Sequence, residues 1–234
     1  MKRARALLGV FGIIAGIVAI PALGANIPIT AIPGGVEVGS ITATFTNKTY
    51  DVEAAGNVFT AKDHMDFPMV RCLNTTATLL LDTVGTTGPS AACTAGTTNT
   101  GIIRGYAQFD AATDEAVQTE FPLSGAWTGA IDIKLKWRAA ATTGDVIWAT
   151  QTACFADAEV DDAAWNTQHT FAADTAKGTT LQLNDASATS ITVTGCAAGE
   201  TLRLRIFRDA DNAGDTMTGD AELLNAQITV RRSL

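Results

Sequence analysis

Histidine is almost missing from this chain of 234 residues: His64 and His169 are the only two. A pair of imidazoles gives little support to a zinc centre, and neither carries the motif of a Ser-His-Asp set, which needs an imidazole fixed beside a hydroxyl. The four cysteines never form a C-x-x-C arrangement, which removes the other common zinc signature. Charged residues make up only 17%, so Thr, Ser and Asn must supply much of the wet surface. Positive charge is scarcer still. Setting Lys2, Arg3 and Arg5 aside as part of a removable segment lowers the basic residues from 16 to 13 against 24 acidic ones, a charge of −11. Such a surface repels nucleic-acid phosphate and anionic lipid heads on average, so neither is an expected partner.

No charge interrupts the run from Ala6 to Ala25, which follows the basic Met1–Arg5 stretch and ends in Pro21 and small residues. This is the pattern of a secretory signal peptide over residues 1–25, with the mature chain starting at Ala25 or Asn26. A retained anchor is the competing reading, since a run of this length can cross a bilayer. With the signal removed, no membrane span is expected, and the protein is placed outside the cell or on its surface. Cysteine is also missing near the junction, which argues against a lipid-anchored terminus.

Glycine is abundant, with 21 residues, and short alternating segments follow one another between polar turns. Residues 26–40 read as an extended arm with Pro and Gly, and residues 41–234 as a single all-β domain, an antiparallel two-sheet sandwich of jelly-roll type. Ile41–Thr46 is the first clear strand. The low-complexity stretch at residues 83–101 reads as a long loop or irregular hairpin and is the one place where a weak domain boundary fits. Pro68 is expected to interrupt a strand around His64–Leu73. Ile131, Ile133, Leu135 and Trp137 alternate with charged residues in the best strand of the chain. Thr179–Leu183 and Ser190–Thr194 read as two further strands. Glu200–Arg208 and Glu222–Arg231 alternate in the same way and read as a terminal hairpin joined by a polar connector.

Cys72, Cys93, Cys154 and Cys196 all lie beyond the signal, and their even number in an oxidising compartment predicts disulfides. Four cysteines allow three pairings. Pairing Cys72 with Cys93 ties down the 83–101 loop and leaves Cys154 to Cys196, each at the end of a strand.

The run Ala107–Arg231 carries Q-F-D-A-A-T-D-E, S-G-A-W-T-G-A-I-D-I-K-L-K-W, T-G-D-V-I-W, L-R-I-F-R-D-A-D-N-A-G-D-T and D-A-E-L-L-N-A-Q-I. In these motifs it resembles β-sandwich proteins that recur in bacteriophage tail or appendage gene sets and in some environmental bacteria. The resemblance implies a non-enzymatic, oligomeric structural or receptor-facing module. The export pattern departs from a virion protein and points instead to a bacterial surface.

Candidate site residues are few. Asp209, Asp211, Asp215 and Asp220 share a glycine-containing connector whose spacing partly matches a calcium loop, although Ala213 replaces one ligand and strands flank it. A plain turn in which Asp and Asn bond their own backbone is the simpler reading. Asp157, Glu159, Asp161 and Asp162 form a second acidic segment, and Asp110, Asp114, Glu115 and Glu120 a third. Trp137 and Trp148 fall on core faces, which leaves Trp127 and Trp165 as sugar platforms if either is exposed. Arg203 and Arg205 make a basic stripe that fits either a contact between copies or cross-strand pairing within one chain. The expected protein is therefore a non-catalytic exported structural or adhesive β-sandwich that self-associates. The alternatives are a carbohydrate-binding module taking a surface glycan, or a phage-like appendage protein. No cofactor is expected beyond calcium.

Overall fold

In the computed structural model, residues 60–73, 76–84, 88–96, 98 and 101–233 are described. The signal peptide, the arm at 26–40 and the Ile41–Thr46 strand lie outside the described residues. The strands are β1 (Thr60–Pro68), β2 (Val70–Leu73), β3 (Thr76–Leu79), β4 (Asp82–Val84), β5 (Ser90–Ala95) and β6 (Ile103–Phe109). They continue with β7 (Ala116–Pro122), β8 (Trp127–Arg138), β9 (Asp145–Val146), β10 (Trp148–Phe155) and β11 (His169–Thr170). The last are β12 (Asp174–Thr175), β13 (Asn184–Thr192), β14 (Thr201–Arg208) and β15 (Ala221–Ser233).

Two antiparallel sheets face each other as a jelly-roll-like sandwich. One runs β13-β8-β15-β6-β5, with β1 added alongside β15, and the other runs β11-β10-β14-β7-β4. Alternation explains the layering. Ile131, Ile133, Leu135 and Trp137 point inward from β8, while Leu202, Leu204 and Ile206 point inward from β14, and all seven are sealed from solvent. Asp132, Lys134, Lys136, Arg203 and Arg205 alternate with them on the outward faces, while Phe207 is buried there against Ala116 and Ala149. Trp148 of β10 joins the layers, packing edge-on against Phe109 at 5.2 Å and Trp137 at 6.3 Å. Trp137 directs its indole N–H to Asp174 Oδ2 at 2.6 Å.

The terminal hairpin expected from the sequence does not form. β14 pairs with β10 and β7, whereas β15 pairs with β8, β1 and β6. Residues 209–220 therefore cross from one sheet to the other. Alternation fixes which side chains are buried and is silent about whether two strands lie side by side or face to face. Thr179–Leu183 is a turn region, with Leu181 at positive φ and Leu183 exposed. The strand there is β13, which buries Asn184, Ala186, Ala188 and Ile191 in alternation.

Pro68 does end β1, and the chain resumes pairing at Val70. Ser90–Ala95 forms a hairpin with β6. Gly105 lies in unbroken register within it, so it marks no bulge. A Cβ there would stand 2.8 Å from Cys72 Sγ and 2.9 Å from the Val70 carbonyl, so close backbone approach explains the glycine. Cys72 is bonded to Cys93 and Cys154 to Cys196.

Candidate functional site

β13 and β11 are the outermost strands of the two sheets on the same side of the sandwich. Between them the seam opens into a cleft of about 300 Å³, lined by Thr150, Gln151, Thr152, Asn166, Thr167, Gln168, His169, Ser190, Ile191, Thr192 and Thr194. Thr150 and Thr152 sit opposite Ile206 and Leu204 on the inner face of their sheet, where larger apolar side chains would close the seam. Both are buried, and Thr150 Oγ1 donates to the Arg205 carbonyl at 2.7 Å. On the other wall the register slips between Ala188 and Ile191, with Ser190 at positive φ. The Ser190 N–H donates to Asp132 Oδ1 at 2.7 Å, which ties the slipped residue to β8.

Asn166 clasps the two walls together. Its Nδ2 donates to the Thr194 carbonyl at 2.6 Å and to Thr152 Oγ1 at 3.4 Å, while its backbone N–H donates to the Thr152 carbonyl. Gln168 closes the far end, with Nε2 donating to Asp209 Oδ2 at 2.8 Å and Thr170 Oγ1 at 3.1 Å. Through Gln168 the cleft adjoins a cluster of Asp114, Asp209 and Asp211, whose carboxylate oxygens lie within 4.8 Å of one another. Burial raises the Asp114 carboxyl above its ordinary range, helped by the Asp211 and Asp209 charges and opposed by the Ala210 N–H. Three converging carboxylates form an oxygen donor set of the kind a hard divalent cation takes.

Only part of the calcium loop read from the sequence enters this cluster. Asp215 is committed elsewhere, to a buried two-pronged pair with Arg208. Asp220 is exposed, and its charge acts on Glu115. Asp114, from the turn between β6 and β7, takes their place. Its link to the connector joins segments too distant in sequence for any spacing rule to find.

Trp127 is no platform: it is buried, with its indole N–H donating to the Ala130 carbonyl at 3.2 Å. Trp165 is half-buried and immediately precedes Asn166. The arginine stripe is answered within the chain. Arg203 pairs with Glu120, its register partner on β7, and with Asp161, and it stacks over Phe155. Arg205 donates to Gln151 Oε1 at 2.9 Å and lies over Phe207. For Arg203 this is the cross-strand pairing that the sequence offered as one of its two readings.

No catalytic constellation is assembled among the described residues. His64 Nδ1 lies 2.8 Å from Thr229 Oγ1, and His169 packs edge-on to Phe171 beside the cleft, without a carboxylate to orient it. Among the described residues no helix is long and apolar enough to cross a membrane.

No protein-family model and no curated protein matches the chain. Among solved structures it is similar to a xylan-binding domain from Paenibacillus barcinonensis, at 15% identity and a TM-score of 0.40 over 63% of this chain and 89% of that one. It is also similar to a family 35 carbohydrate binding module from Clostridium thermocellum, at 10% identity and a TM-score of 0.36 over 71% and 97%. A third likeness is to the enzymatically active domain of tailspike protein 4 of bacteriophage CBA120, at 6% identity and a TM-score of 0.36 over 66% and 19%. Values this low carry no information about ligand or partner.

Proposed function

We propose that the protein is an exported, non-catalytic binding module whose ligand is a glycan held in the seam cleft. The observation that supports this reading most is the lining itself. Hydroxyls and amides from three chain segments converge on one groove without a fixed charge, and such groups match the hydroxyls of a sugar ring in both donor and acceptor roles. Trp165 beside Asn166 supplies the aromatic surface nearest in sequence to the groove. The two disulfides and the basic, apolar and small-residue pattern of residues 1–25 support export to an oxidising compartment. Within this reading calcium belongs with Asp114, Asp209 and Asp211, where it would hold the Gln168 end of the cleft through Asp209. A bacterial surface or extracellular assembly is the setting in which such a module would act.

Affinity electrophoresis of the mature protein through gels containing soluble polysaccharides tests the reading. Retardation by at least one polysaccharide is expected, and it should be lost on Thr192→Trp, which fills the groove from an exposed position. Retardation that survives this change would place the ligand elsewhere.

A further inference from the structure

Pro68 keeps its place in the register of β1 against β15, opposite Asn225. Its neighbour shows why a proline can stand there. Met69 donates its N–H to the Leu224 carbonyl, so the odd-numbered residues of β1 bond to β15, while the even-numbered ones, Pro68 among them, turn their backbone groups the other way. Proline belongs where the missing N–H would face a sheet edge. Among the described residues no strand pairs with that edge, which offers the N–H and C=O groups of Lys62, His64 and Asp66.

The same three side chains are exposed on the outward face, while Met65 and Phe67 pack towards the core. Lys62 has no ion pair among the described residues. Its register partner on β15 is Arg231, a like charge, and Asp132 beyond it is held by that arginine in two hydrogen bonds. Asp66 accepts from the neutral Gln227 amide at 3.1 Å and meets no cation. A cation and an anion thus stand unpaired on either side of His64, on one face of one edge strand.

We propose that this edge of β1 pairs with β1 of a second copy of the chain, antiparallel and centred on His64, joining two β15 sheets into one. In that register Lys62 of each copy stands opposite Asp66 of the other, and Phe67 opposite Ala61, with matching faces throughout. Every outward-turned residue from Lys62 to Asp66 finds a backbone partner. Centring on Met65 would set Lys62 opposite Pro68, which has no N–H to give. Centring on Asp63 would set Lys62 against His64 and Asp63 against its own copy. A shift by one residue would set the core face of one copy against the wet face of the other. The cleft lies at β13, the opposite edge of the same sheet, so the pairing leaves a cleft accessible on each copy.

Sedimentation velocity of the mature protein over a micromolar concentration series tests the pairing, and a dimer is expected. Lys62→Asp and Asp66→Lys each put like charges at both contacts, and each should weaken dimerisation about tenfold. Both positions are exposed, so an unchanged far-ultraviolet circular dichroism spectrum separates loss of pairing from loss of fold. Mixed in equal amounts, the two variants carry opposite charges at every contact, and the dimer should return. A dimer indifferent to both changes, or one that mixing fails to restore, overturns the proposal. So does a monomer at every concentration, the result expected if the chain before Thr60 covers this edge instead.

Discussion

Arg208 grips Asp215 with two parallel hydrogen bonds, Nε to Oδ2 at 2.9 Å and Nη2 to Oδ1 at 2.7 Å, and both side chains are shut away from solvent. The same guanidinium donates to the Met217 carbonyl at 2.6 Å and the Gly219 carbonyl at 2.8 Å. Asp215 Oδ2 also accepts the Ile147 N–H at 3.0 Å. One ion pair therefore shapes the crossing from β14 to β15 and pins it to Ile147, between β9 and β10. Removing one partner strands a buried charge, so Asp215→Asn is expected to cost about 3–5 kcal/mol in urea unfolding. Replacing both, as Arg208→Met with Asp215→Leu, should restore only part of this, because two buried carbonyls would still lack their donor.

Gly144 is held at φ +94°, and a Cβ there would stand 2.6 Å from Met217 Cα and 2.9 Å from its nitrogen. The close neighbour is backbone, which cannot step aside like a flexible side chain. Gly144→Ala is expected to destabilise by about 2–4 kcal/mol, combining left-handed strain with overpacking. Thermal unfolding compared with Gly178→Ala, where the added Cβ meets open space, separates this effect from loss of glycine in general.

The disulfides span sequence separations of 21 and 42 residues. Chain-entropy arguments give about 3 kcal/mol for the first and about 4 kcal/mol for the second. Replacing Cys154 and Cys196 by Ser should therefore lower stability more than replacing Cys72 and Cys93. Equal losses in chemical denaturation would show that strain or residual structure outweighs loop length.

Two carboxylates should respond to pH in opposite directions. Burial alone would raise Asp132, but the Ser190 N–H and Arg231 outweigh it and hold the group below its ordinary value of 3.8. Its stabilisation is present above that value and is lost as pH falls through the lower folded value. Asp114 is raised, so its folded form binds a proton at higher pH than its unfolded form, and its ionisation costs stability as pH rises through that window. Asp132→Asn should weaken the protein at pH 7 by about 1–2 kcal/mol and much less at pH 3. Asp114→Asn should strengthen it at pH 7 and make little difference at pH 3.

Calcium gives a further test of the acidic cluster. Millimolar calcium is expected to raise the melting temperature of the unmodified protein and to have little effect on Asp211→Asn. An equal rise in both would assign the effect to ionic strength.

The period-two strands were legible because their inward residues are large and apolar: Ile131 to Trp137 announces β8 without help from the fold. β13 was harder, since alanines occupy its core face and the more visible leucines, Leu181 and Leu183, lie in the turn before it. The partners of β14 and β15 were not legible, because the same alternation serves a hairpin and a facing pair. The cleft left a faint signal in Thr150 and Thr152, polar residues at core-facing positions of β10. Asp114 beside Asp209 left none, since only the completed sandwich brings the β6–β7 turn to the end of β14.

The most direct measurement of the glycan claim is a nitrogen-15 NMR titration of the mature protein with an oligosaccharide that retards it in gels. The expected result is a set of amide shifts confined to Thr150–Thr152, Asn166–His169 and Ser190–Thr194. Shifts centred instead on the opposite surface of the β14 sheet, at Gln118, Glu120 and Arg203, would contradict it.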